Sequence, residues 1–128
     1  MRKNIYATAL VFLWIGGTLF LRNEILLKGY WVEHYRELGL VFPSEPINGI
    51  VWLIWSLLFA VAIVVFSRKF SLINTALISW LTGFVLVEIV VGNMGVLPFH
   101  ILIAAIPMSL VEVLVAAFLA KKITPSKS

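Results

Sequence analysis

Cysteine is absent from the 128 residues. That excludes disulfides, thiol redox chemistry and thiolate metal sites. Charge is scarce: 12% of the residues are Asp, Glu, Lys or Arg, where a soluble domain carries roughly a quarter. There are only two histidines, His34 and His100, too far apart in sequence to make a helical i,i+4 ligand pair. Neither a P-loop, an HExxH, a His/Asp metal cluster nor a Ser/His/Asp set placed to meet can be found. We therefore expect no enzyme, no metal and no cofactor. The net charge is +4, but no basic stripe with interleaved aromatics accompanies it, so nucleic acid is not an expected partner.

What the chain has in excess is apolar surface. It is 62% hydrophobic, and so short a chain cannot bury it all, because small folds keep much of their surface in contact with solvent. The expected solvent is lipid. Four apolar runs stand out, at residues 5–21, 47–66, 72–91 and 99–120. Each is close to the roughly 20 residues that a helix needs to cross a bilayer. The runs are continuous rather than alternating, which argues against a membrane barrel. The first run resembles a signal peptide, but no small-x-small site follows it, so it reads as a retained helix.

These runs predict an all-α, four-helix transmembrane bundle forming a single integral membrane domain. Its expected spans are residues 5–27, 47–67, 71–92 and 98–121, with a cytoplasmic tail at 122–128. Residues 28–46 mix charge with Tyr30, Trp31 and Tyr35, aromatic types that favour the headgroup layer. This predicts a short interfacial amphipathic segment between helices 1 and 2. With both termini and the 67–71 turn on one side, that side holds seven of the ten Lys and Arg residues. The bias predicts an N-in, C-in protein, and the small size and lack of cysteine point to the inner (cytoplasmic) membrane of a prokaryote.

The polar residues inside the runs are the candidate sites. In helix 3, Ser71, Thr75, Ser79 and Gly83 recur every four residues, a small-residue ridge suited to close helix packing or to a homodimer seam. Glu88 lies on another face, about 6 Å inside the outer end at 1.5 Å per residue. His100 and Arg22 fall at a similar level, so the three form a candidate outer-mouth cluster. Glu112 lies deeper, roughly 13 Å from the basic end of helix 4, where no Lys, Arg or His is placed by counting. It is expected as a neutral acid bonded to Ser109 or a backbone carbonyl, or as a carboxyl that exchanges a proton. Pro107, five residues earlier, is a candidate kink that opens room beside it. Asn48 and Gly49 are the expected cap of helix 2.

In size and span number the chain resembles the small multidrug exporters. Those carry their essential glutamate in the first helix, and residues 5–21 contain no acid, so that motif does not transfer. Four-helix membrane thiol oxidoreductases require cysteine. Two functions are weighed: a structural or accessory protein docking on a partner, a second copy or a larger membrane complex; and a small proton-coupled carrier using Glu112, with Glu88 and His100 at its outer gate.

Overall fold

The computed structural model describes residues 2–124. Residues 125–128, which include most of the expected tail and Lys127 of the charge count, lie outside the described residues. Among the described residues there is no strand. Five helical elements follow one another: α1 (Arg2–Leu26), α2 (Lys28–Glu37), α3 (Pro46–Lys69), α4 (Leu72–Asn93) and α5 (Phe99–Ile123). All but α2 are long and apolar enough to cross a membrane.

Local chemistry sets the boundaries. Pro46 opens α3, where its missing N–H removes a group that would be orphaned anyway. The Glu45 N–H is taken by the Asn48 side chain at 2.9 Å. The turn from α3 to α4 is two residues long. Ser71 Oγ accepts the Asn74 N–H at 3.2 Å, and the wholly buried Thr75 hydroxyl lies 3.4 Å from the Phe66 carbonyl and 3.3 Å from that of Phe70. Gly95, at φ +79°, turns the chain out of α4, a left-handed conformation that glycine adopts without a Cβ penalty. Both α1 and α4 contain one wider π-helical turn, at Leu21–Leu26 and Leu81–Val85.

The short connections make α3, α4 and α5 successively antiparallel, and the packing of the first half of α1 on the second halves of α3 and α5 sets it antiparallel to both. Both described chain ends therefore lie at one end of the bundle. There Ala7, Val11 and Ile15 of α1 meet Ala60, Ile63 and Val64 of α3 and Ala116 and Ala120 of α5. Lys121 Nζ also donates to the Ser67 carbonyl at 2.8 Å. A second core, Leu27, Phe84, Leu97, Ile101 and Ala105, lies at the opposite end. Over it α2 is held by His34 Nε2 on the Gly95 carbonyl at 2.9 Å and by Trp31 Nε1 on Asn23 Oδ1 at 3.2 Å.

The first half of α3 stands clear of the bundle. Ile50, Val51, Trp52, Leu53 and Ile54 each keep 48–56% of their surface exposed. Five consecutive residues go right round a helix, so this stretch has no covered face. In water that would be a liability. In hydrocarbon it carries no such penalty, and it leaves a whole helix surface free for another helix to pack on.

Candidate functional site: a buried charge cluster between the two cores

The buried stripe of α1 runs Ala7, Val11, Ile15, Leu19 and then Arg22. The first four are spaced by four residues and Arg22 follows by three, so all five lie on one helical face. Arg22 is thus directed into the protein, and only 7% of its surface remains exposed. On α5 the corresponding stripe is Ala105, Ser109, Glu112, Ala116 and Ala120. The two stripes face each other, because α1 packs along α5.

Arg22 Nη1 lies 3.2 Å from Glu112 Oε2. The expectation that Glu112 has no cation at its level is therefore corrected. Counting residues placed Arg22 near the end of its helix and Glu112 near the middle of its own. However, a side chain leans toward the N-terminus of its helix. In antiparallel helices that lean carries Arg22 and Glu112 toward each other, and the long guanidinium arm closes the gap. The backbones are tied at the same place: Trp14 Nε1 donates to the Glu112 carbonyl at 2.8 Å.

Ser109 does not bond to Glu112 as expected. Its hydroxyl donates to the Ile106 carbonyl at 2.9 Å and accepts the Trp80 indole N–H at 2.9 Å. A serine hydroxyl has one proton, and the carbonyl three residues back takes it. Thr18, on the facing side of α1, likewise donates to the Trp14 carbonyl at 2.8 Å. Pro107 sits inside an uninterrupted helix on an exposed face, away from Glu112, so it opens no room beside the acid.

The outer-mouth cluster is divided. Glu88 lies in Coulombic reach of Arg22, and its Oε2 atom is buried without a hydrogen-bond partner. His100 belongs elsewhere: it is exposed, in the opening turn of α5, with its ring edge-on to Tyr30 at 5.0 Å. The guanidinium of Arg22 also lies 5.3 Å from the centre of the Phe84 ring, within cation–π range. Both π turns flank the cluster, since one contains Arg22 and the other contains Phe84.

A cavity of about 20 Å³ adjoins the pair, with Arg22, Ser109 and Glu112 as its polar lining and Trp55, Phe59 and Phe84 among its apolar walls. That is room for about one water molecule. The small-residue ridge of α4 is spent inside the bundle. Thr75 and Ser79 are fully buried, Gly83 lies against the Phe59 ring, and Ser71 caps the helix. It is not a surface for a second copy. Among the described residues, no group of three or more His, Asp or Glu is placed to hold a metal ion.

The residues that sequence reasoning missed are Trp14 and Trp80, whose indoles fasten α1 and α4 to α5. The four-residue spacing up to Arg22 was the available signal for its burial. Comparison with protein-family models, with characterised proteins and with solved structures finds no match for this chain.

Proposed function

We propose that the protein is a small, non-catalytic, multi-pass accessory protein of a prokaryotic inner membrane that associates laterally with a partner. The observation that carries this reading is the first half of α3, whose residues 50–54 are open on every side. No charged residue occurs between Glu45 and Arg68. The occupant that fits this stretch is therefore an apolar transmembrane helix of a partner chain. The buried Arg22 and Glu112 pair fastens α1 to α5 and gives that platform a fixed shape.

The orientation with both termini in the cytoplasm is part of the same reading. Arg2, Lys3, Arg68, Lys69, Lys121 and Lys122 lie at the end that holds the chain termini, while Lys28 and Arg36 lie at the other. Arg22 is engaged inside and exerts no pull at either surface, which leaves six basic residues against two. A basic excess on one side marks the cytoplasmic face. Because the chain has no cysteine, single cysteines introduced at Lys3 and Tyr30 test this by labelling from outside the cell. Only the second should react.

Native mass spectrometry from membranes into lipid discs tests the association. The expected result is a complex of fixed stoichiometry with a second kind of chain. It should be lost when Ile50, Leu53 and Ile54 become alanine, and retained when the exposed Phe118 of α5 does. A single chain alone, or a pure homodimer, overturns the reading.

A second reading, a proton-coupled carrier, is favoured by one observation: Arg22, Glu88 and Glu112 meet from three helices inside the bundle. Ionisable residues within transmembrane segments mark ion and proton pathways. The adjoining cavity has room for about one water molecule, so a single chain would move protons alone. Equal proton flux for wild type and Glu112→Gln in vesicles would end that reading.

A further inference from the structure

The cluster contains two acids and one base, so its charges cannot cancel. With both carboxyls ionised it carries a net negative charge; with one proton bound it is neutral. Net charge is strongly disfavoured in an environment of low polarity. The groups facing the cluster offer no other remedy. Arg22 comes from α1, Glu88 from α4 and Glu112 from α5, while α3 contributes Trp55 and Phe59 and no charge. On α2, Lys28 is engaged by Glu24 at 3.3 Å.

The geometry shows where the imbalance falls. Glu112 holds the guanidinium at 3.2 Å, and the buried Oε2 of Glu88 meets no donor. Arg22, with 7% of its surface exposed, also has its Nη1 atom without an aligned hydrogen bond. The one-water cavity borders both Arg22 and Glu112. Glu88 is half-buried, and an ionised carboxylate whose buried oxygen has no donor is unfavourable in such a place, whereas a carboxylic acid can remain there uncharged.

We propose that Arg22, Glu88 and Glu112 together hold a single proton, carried by Glu88 while Arg22 is paired to the ionised Glu112. Arg22 sits on Glu112, and the Oε2 atom of Glu88 is left without a partner. The proposal goes beyond the accessory reading and does not rest on it.

Infrared spectroscopy of the protein in lipid discs at neutral pH tests it by counting protonated carboxylic acids through their carbonyl stretch. Wild type should show one. Glu88→Gln and Glu112→Gln should each show none, because one acid and one guanidinium neutralise each other without a proton. Arg22→Gln should show about twice the wild-type band, since both acids then lack a cation. The two glutamine variants preserve shape, so the test stands even if Arg22→Gln fails to fold. No band in wild type, or a band surviving in both glutamine variants, overturns the proposal. Replacing choline by sodium in the buffer should leave the band unchanged; its loss in sodium would give the site to a metal cation and overturn the proton assignment.

Discussion

Trp14 donates its indole N–H to the main-chain carbonyl of Glu112, 2.8 Å away and 98 residues further along the chain. This bond fixes the register of α1 against α5, and it does so one residue type away from the charges. Trp14→Phe keeps most of the ring and removes the donor. The Glu112 carbonyl retains its helical partner, so nothing buried is orphaned. Hydrogen bonds between membrane helices contribute about 0.6 kcal/mol on average and at most about 2 kcal/mol. The expected loss of stability for Trp14→Phe is therefore modest, about 1 kcal/mol, read from unfolding by sodium dodecyl sulfate in mixed micelles. A loss of several kcal/mol would mean that the indole ring, not its N–H, carries the contact.

Breaking the pair that this register creates should be far more damaging than deleting it. Arg22→Met leaves Glu112 and Glu88 buried without a cation. Removing one partner of a buried ion pair typically costs about 3–5 kcal/mol, whereas replacing both by apolar residues is often neutral. Arg22→Met should thus lower stability strongly at neutral pH, and Arg22→Met combined with Glu112→Leu should recover most of the loss. The single variant should also gain stability in acid, where keeping the stranded carboxyls protonated costs less. Equal stability of the single and double variants would show that the pair has no energetic coupling.

The four long helices and their stops are legible in the sequence because they rest on local chemistry: continuous apolar runs, Pro46 at an N-terminus, Ser71 as a cap and Gly95 as a turn. The burial of Arg22 is legible as well, once the spacing of Ala7, Val11, Ile15 and Leu19 is extended to it. Its pairing with Glu112 is hidden from residue counting, which measures where backbones sit and ignores the lean and length of side chains. The fates of Ser109 and His100 are set by partners on other helices, Trp80 and Tyr30. No spacing along one helix reveals those partners. The π turns leave no recognisable trace in composition either, since they answer to packing rather than to propensity.

Gly83 of α4 accommodates the Phe59 ring of α3. A Cβ built there would run into the Phe59 ring, so Gly83→Ala forces the ring or the helix to move. Overpacking of this kind costs about 1–3 kcal/mol. Gly83→Ala should destabilise the protein within that range, and Phe59→Leu in the same chain should relieve much of it. The pair should depart from additivity in a double-mutant cycle, as residues in contact do. Strict additivity would mean that the two side chains do not share the space.

The clasp at the far end offers a test of local rather than global stability. No residue of α2 is buried, so the helix depends on a few polar and aromatic contacts, among them His34 on the Gly95 carbonyl. That carbonyl is aimed by a backbone at φ +79°, a conformation that costs a residue with a Cβ roughly 1–2 kcal/mol. His34→Ala removes the donor and Gly95→Ala strains the acceptor. Both should speed amide hydrogen exchange across residues 28–37 while leaving α5 protected, because segments with few buried contacts open on their own. Slower opening of α5 and α2 together, with one shared rate in wild type and both variants, would instead make α2 part of the cooperative core. In that case Tyr30 against His100 and Trp31 against Asn23, rather than His34, would hold it there.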